Sequence, residues 1–327
     1  MEKLLRSSDI KREALAAEKR IRQYIRETPV EYSPYFSKLG DGQVYLKLEN
    51  LQITRSFKLR GALNKLLSLD KEELEKGVIT ASSGNHGAAF AYGLKILGGK
   101  GTIYLPNYTS PTKVEYLRNY GIHLVFYGDD CLQTEKMATE TAKNKNLTYV
   151  TPYNDPQIIG GQATVGIELE RQLANIDAVF IPVGGGGLIS GVAGYLKSNN
   201  NKIKIIGCQP INSCVMYESV KAGRVVEQEL KPTISEGTAG GIEEDALTFH
   251  ICRRYVDDFI LVSEEEIREA MKLIIAKHSF LVEGAGALSL ASWLKVKDAF
   301  KNKTVVLIIS GAKISFDRLQ EIICNQK

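Results

Sequence analysis

The run Ser56-Phe57-Lys58-Leu59-Arg60-Gly61-Ala62 and the run Gly184-Gly185-Gly186-Gly187 are the two stretches of this chain whose residue types could do chemistry together. A lysine amine can form a Schiff base with an aldehyde, and it accepts protons once its pKa is lowered. Four glycines directly after the apolar run Ala178 to Val183 leave backbone N–H groups free to curve around an anion. A helix from Leu188 would add its positive end. A ligand with an aldehyde at one end and a phosphate at the other would satisfy both runs, and pyridoxal phosphate is such a molecule. Neither run is specific alone. A lone lysine after an aromatic is more often a solvated helix residue, and a glycine run is most often a loop or a cradle for another phosphate ligand.

The scaffold that must position these groups has 327 residues, more than one hydrophobic core usually serves, so two domains or one large α/β unit are expected. Hydrophobic residues at 44% and charged residues at 24% fit a soluble globule. The net charge of +4, from 42 basic and 38 acidic residues, is too balanced to imply a nucleic-acid partner. Lys11, Arg12, Lys19, Arg20, Arg22 and Arg26 alternate with acidic and apolar positions, which predicts an amphipathic helix near the start. No stretch approaches the ~18 apolar residues of a membrane span, and no apolar signal region follows Met1, so a cytoplasmic location is the default expectation. Cys131, Cys208, Cys214, Cys252 and Cys324 are odd in number and widely spaced, which argues against a disulfide framework or a structural zinc site.

Strand-like and helix-like segments alternate. Strands are predicted at Val44 to Leu48, Gly77 to Ala81, Gly101 to Leu105, His123 to Phe126, Tyr149 to Val150, Ala178 to Val183, Lys204 to Gly207 and Thr304 to Ser310. Helices are predicted at Lys58 to Leu67, Ala88 to Leu97, Lys113 to Tyr120, Thr134 to Lys143, Gly160 to Leu173, Leu188 to Leu196, Glu264 to His278 and Gly286 to Leu294. Such alternation favours parallel sheets covered by helices. The expected division is a small domain over 55–153 inserted in a larger one formed by 1–54 and 154–327. The stretch Val215 to Ala246, with Lys231-Pro232-Thr233 and Glu236-Gly237-Thr238-Ala239-Gly240-Gly241, is expected to be irregular: a lid or an ordinary surface loop.

With these motifs in their order, the chain resembles the fold-type II pyridoxal-phosphate enzymes, especially threonine/serine dehydratases and serine racemases. The resemblance runs through Lys47-Leu48-Glu49-Asn50, Ser56 to Ala62, Ser82-Ser83-Gly84-Asn85-His86-Gly87, Pro106 with Lys113, Asp155-Pro156 with Gly161-Gln162, Gly184 to Leu188, Glu283-Gly284-Ala285-Gly286-Ala287 and Ser310-Gly311-Ala312. It implies an α/β, tryptophan-synthase-β-like architecture of two open parallel-sheet domains with the active site between them. It implies pyridoxal 5'-phosphate as cofactor, bonded covalently to Lys58, beside Phe57. Gly184, Gly185, Gly186, Gly187 and Leu188 would receive the phosphate. Asn85 would bond the ring hydroxyl, Ser310 would lie near the ring nitrogen, and Glu283 near the ring. Ser82, Ser83, Gly84, Asn85 and His86 would receive the substrate carboxylate at the start of the helix through Ala88. A neutral hydroxyl at Ser310 would not enforce a positive ring charge, which fits β-elimination or racemisation better than transamination.

The resemblance also implies a small-molecule amino-acid substrate and a homo-oligomer, a dimer first. Gln209 and Val215 stand where serine racemases carry ligands for a divalent metal, so no metal is expected. Gly87-Ala88-Ala89 lacks the glutamine common there in serine racemases. The chain ends soon after Ser310, which points to a short dehydratase without a regulatory extension. Lys58 as base would serve elimination of water and ammonia from L-threonine, L-serine or another β-hydroxy amino acid. Ser83, matching an opposite-face acid/base of racemases, leaves racemisation of serine, threonine or aspartate open. β-Replacement and a non-catalytic metabolite-binding protein are the remaining alternatives. Tyr153, Gly237, Thr238 and Ala239 are candidates for the side-chain pocket.

Overall fold

A computed structural model describes residues 6–324. Strands β1 (Val30–Tyr32), β2 (Gln43–Lys47), β3 (Val78–Ala81), β4 (Gly101–Leu105), β5 (His123–Phe126), β6 (Thr148–Tyr149), β7 (Ala178–Pro182), β8 (Lys204–Pro210), β9 (Asp258–Val262) and β10 (Thr304–Ile308) form two sheets among the described residues. The larger has the order β1-β2-β10-β7-β8-β9 and the smaller β5-β4-β3-β6. Every strand pairing is parallel except β1 with β2 at the edge of the larger sheet. Parallel strands are covered on both faces, so their sequences read as apolar runs, and all five residues of β7 are buried.

The helices α1 (Ser7–Ile21), α2 (Pro34–Gly40), α3 (Lys58–Leu67), α4 (Lys71–Lys76), α5 (Asn85–Leu97), α6 (Pro111–Arg118), α7 (Cys131–Asn144), α8 (Pro156–Gln172), α9 (Gly187–Asn199), α10 (Val215–Ala222), α11 (Leu247–Tyr255), α12 (Glu264–His278), α13 (Gly284–Val296) and α14 (Phe316–Cys324) supply that cover. On one face of the larger sheet, Val179, Ile181 and Val306 pack with Ile10, Ile159 and Val192. On the other, Phe180, Val305 and Leu307 meet Met271, Leu288 and Trp293. The smaller sheet is sandwiched in the same way, with Phe90 and Leu94 against Ile103 on one side and Ala138 beside Ile79 and Tyr104 on the other.

The chain leaves the larger sheet between β2 and α3 and returns between β6 and α8. The expected pattern of alternating elements holds, with its boundaries shifted. Helix α5 begins at Asn85 rather than Ala88. Helix α8 begins at Pro156 rather than Gly160, because the Asp155 carboxylate accepts the Gln157 and Ile158 N–H groups at 2.7 and 3.1 Å and proline suits the first helical position. The stretch from Val215, expected to be irregular, opens with the eight residues of α10, which bury Val215, Met216 and Ser219. Two turns are too few for helical periodicity to stand out in a sequence. Strand β9 and helix α11 also went unforeseen.

Candidate active site

Lys58 is the first residue of α3, and the turn before it is tied to the end of β10. Ser56 forms a β-bridge with Gly311, and the Phe57 N–H donates to the Ser310 carbonyl at 3.2 Å. The two motifs that carry Lys58 and Ser310, far apart in sequence, are therefore bonded through their backbones. The Lys58 Nζ donates to the Pro152 carbonyl at 2.8 Å and lies 5.3 Å from the centre of the Phe57 ring. Burial pushes the Lys58 amine down to about 8, with Glu283 opposing the shift. A fraction of the amine is then unprotonated near neutrality, as a base or nucleophile requires.

The glycine run turns from β7 into α9. Gly186 has φ of +85°, in the left-handed region that disfavours a side chain. A Cβ on Gly185 would lie 2.5 Å from Cγ of Tyr153. No side chain caps α9, which leaves its first N–H groups facing the loop for an anion. Thr248 Oγ1 fixes the loop from behind by donating to the Gly185 carbonyl at 2.7 Å. Leu188 is 3% exposed in the core, so only its backbone can serve a ligand.

The third wall is the segment Ser82 to His86, between β3 and α5. Its serines are half-buried, and the Gly84 N–H donates to Ser82 Oγ at 3.2 Å. Here too no side chain caps the helix. Asn85 and His86, expected just ahead of the helix, form its first turn. The Asn85 amide donates to Glu283 Oε1 at 2.7 Å, while its buried Oδ1 has no partner among the described residues. His86 Nε2 faces the Val150 carbonyl at 3.1 Å and so carries the proton. Burial, aided by the nearby Lys58 charge, pushes His86 down to about 3, which keeps the ring neutral.

Glu283 occupies the position before α13, yet its carboxylate makes no capping bond and accepts from Asn85 instead. Burial pushes it up to about 7, opposed by the Asn85 hydrogen bond and by Lys313. Lys313 was missed in the sequence. Its Nζ lies 3.9 Å over the Tyr116 ring and 3.4 Å from the Gly84 carbonyl, and burial pushes it down to about 8. The available signal was a cation three residues beyond Ser310. Of the pocket candidates, Tyr153 packs on Gly185 and Gly187, Thr238 on Gly184, and Gly237 faces Glu283, with Ala239 following in the same segment. Gln209 is engaged in the fold, its Oε1 accepting the Tyr217 N–H at 2.8 Å.

An amine with a lowered pKa, a glycine turn at an uncapped helix start and an unpartnered buried amide oxygen together fit a ligand with an aldehyde, a phosphate and a ring hydroxyl. Residues 21–311 match the model of the pyridoxal-phosphate dependent enzyme family, and the chain belongs to that family. It is an enzyme whose cofactor is pyridoxal phosphate. It is 38% identical over 307 residues to the L-threonine ammonia-lyase of Thermotoga maritima, covering 94% of this chain and 76% of that protein. The processed form of threonine deaminase isoform 2 from Solanum lycopersicum superimposes with a TM-score of 0.92 at 35% identity, covering 97% of this chain and 92% of that one. Maize serine racemase gives a TM-score of 0.90 at 32% identity, covering 95% of each chain.

Proposed function

We propose that this enzyme converts L-threonine, L-serine or both to a 2-oxo acid and ammonia. The observation that carries the reading is the Lys58 amine, paired with no carboxylate among the described residues, lowered to about 8 and set with its motif beside two uncapped helix starts. Bound pyridoxal phosphate supplies an electron sink that acidifies the hydrogen on Cα of an attached amino acid.

The residues of the chain divide the remaining work. The glycine turn would hold the phosphate with backbone N–H groups. The start of α5, with Ser82 to His86, would hold the substrate carboxylate. Asn85 Oδ1 would accept a hydrogen bond from the ring hydroxyl, and Ser310 would offer the ring nitrogen a hydroxyl rather than a charge. Lys58 removes the Cα proton, the Cβ–oxygen bond breaks, and the hydroxyl leaves as water. The unsaturated amine that is released hydrolyses to 2-oxobutanoate from threonine or pyruvate from serine, with ammonia. The names of the T. maritima and tomato relatives support this substrate class.

Ser83 supports a second reading, racemisation, in which its hydroxyl exchanges a proton on the face opposite Lys58; the likeness to maize serine racemase favours keeping it. The reading also assigns 1–54 and 154–327 to a large cofactor-binding domain and 55–153 to a small substrate-binding domain, in line with the two sheets. It includes a cytoplasmic homodimer. No helix among the described residues is long and apolar enough to cross a membrane.

The test is turnover of a β-hydroxy amino-acid panel by the cofactor-loaded protein, with 2-oxo acid, ammonia and chiral products measured together. Production of 2-oxo acid with equimolar ammonia is expected. A loaded enzyme that releases neither would overturn the reading, and enantiomer formation without elimination would replace it by the second. Sedimentation and cell fractionation test the dimer and its location.

A further inference from the structure

Lys58 and Arg60 lie about 200° apart around the first turn of α3, because each residue advances the helix by a fixed fraction of its 3.6-residue turn. Lys58 reaches into the cleft. Arg60 points the other way and is fully buried, as are Lys47, Glu49 and Glu168 around it. Its guanidinium is saturated. Nε and Nη2 donate to Glu49 at 2.7 and 2.8 Å. Nη1 and Nη2 donate to the two oxygens of Glu168 at 2.8 Å each. Thr164 Oγ1 and Thr28 Oγ1 accept further bonds at 3.1 and 3.3 Å. Glu168 is itself held by the Lys47 ammonium at 2.6 Å, and that ammonium also donates to the Thr28 carbonyl and to Gln172. The partners of Arg60 come from the short turn Glu49–Leu51, the segment at Thr28 and α8, so three separate elements fix one planar group, and Lys47 of β2 holds Glu168 from behind.

Two double hydrogen bonds set the orientation of a guanidinium as well as its distance. A lysine or an apolar side chain at the same place would fill the space without setting that orientation. We propose that Arg60 is a positioning residue that fixes the rotation of the first turn of α3 and thereby aims the Lys58 amine at the cofactor aldehyde and the substrate Cα. The proposal rests on the reading of Lys58 as the lysine that bonds the cofactor. A displacement of about 1 Å at a reacting atom is enough to lower a rate by about 100-fold.

The experiment compares wild type with Arg60→Lys, which keeps the charge and loses the planar fork. Cofactor-free protein is mixed with pyridoxal phosphate, trapped with borohydride at timed intervals and mapped by peptide mass, which reads covalent capture at Lys58. In parallel, 4'-deoxypyridoxine phosphate, which has no aldehyde, reads the non-covalent seat for ring and phosphate. The expected result is a fall of about 10-fold or more in the rate of capture at Lys58, with the affinity for the deoxy compound within about 2-fold of wild type, since the glycine turn does not share the partners of Arg60. Equal falls in both would mean that Arg60 only supports the fold and would overturn the inference, as would no fall in either. Wild-type capture at a lysine other than Lys58 would overturn the site reading and the inference with it. Thr164→Val removes one acceptor from the guanidinium and is the milder companion if Arg60→Lys does not fold. About 3-fold slower capture is expected for it, again with the deoxy compound unaffected, and unchanged capture overturns the inference.

Discussion

Arg60 and Lys58 are neighbours on one turn of helix, and the charges around them behave in opposite ways. Around Arg60, Lys47, Glu49 and Glu168 are fully buried and supplied with partners, and Arg22 adds a bond to Glu168 from the half-buried edge. Burial opposes its charge, yet Arg60 holds Glu168 down to about 2, and Glu49 and Glu168 keep the guanidinium firmly protonated. Around Lys58, the groups are less completely covered, with Lys58 and Lys313 half-buried, and have fewer partners. Glu283 has been pushed up to about 7, and Lys58 and Lys313 down to about 8. Arg60 and Glu168 thus keep their charges across the physiological range, although burial lowers the Lys47 amine beside them. A charge left under-supplied titrates near neutrality, where it can exchange protons. The fold thus places a rigid ionic cluster directly behind a reactive one.

The largest expected effect lies on the reactive side. Lys58→Ala should remove the borohydride-stable cofactor adduct and lower 2-oxo acid formation by about 1,000-fold or more, since covalent anchor and base are lost together. Absorbance and peptide mapping read the first, and a coupled keto-acid assay the second. On the rigid side, Glu168→Ala leaves Arg60 and Lys47 without their shared carboxylate. It should lower stability by about 3–5 kcal/mol in a denaturant titration, the range for breaking a buried ion pair. A loss below about 1 kcal/mol would show that the two clusters are not so different.

The comparison sharpens further with pH. Glu283 has a folded pKa raised from the ordinary 4.5 to about 7. Between those values the native state binds more protons than the unfolded one, so this group's stabilising contribution is full below about pH 4.5 and is lost as pH rises through 7. Glu283→Gln should therefore raise the thermal midpoint of the cofactor-free protein at pH 8 relative to wild type, and much less at pH 5. The gain should correspond to about 1–3 kcal/mol, reduced by the loss of attraction to Lys58 and Lys313. Equal shifts at both pH values would contradict the raised pKa. The smallest effect on elimination is expected from Ser83→Ala. Conversion of L-threonine or L-serine to 2-oxo acid should stay within about 3-fold, while any racemisation falls by about 10-fold or more, as chiral chromatography would show. A greater loss of elimination than of racemisation would reverse the roles assigned to Lys58 and Ser83.

The reactive cluster was legible in the sequence because its members sit in short runs of unusual composition, such as the four glycines and Ser82 to Gly87. The rigid cluster was legible only in part. Lys47, Glu49 and Arg60 stand in the runs Lys47 to Asn50 and Ser56 to Ala62, but their carboxylate partner Glu168 lies 108 residues beyond Arg60 in no such run. Only the packing of α3 on α8, with Lys47 of β2 reaching Glu168, brings them together. Lys313 escaped notice for a related reason, since its role depends on Gly84 and Tyr116 from the other sheet's helices. The alternation of strands and helices was readable from apolar runs. The two-turn α10 and the half-exposed β9 were not, since neither has a long enough pattern to rise above its surroundings.

The hydrogen bond from Lys58 Nζ to the Pro152 carbonyl joins the outgoing and returning passages of the chain between its two sheets. Those passages are where the smaller-sheet unit would pivot. In any rigid rotation, the displacement of a point grows with its distance from the axis. A unit turning about those passages would carry Lys58 through a short arc, so the amine would keep its place while parts farther from the passages moved.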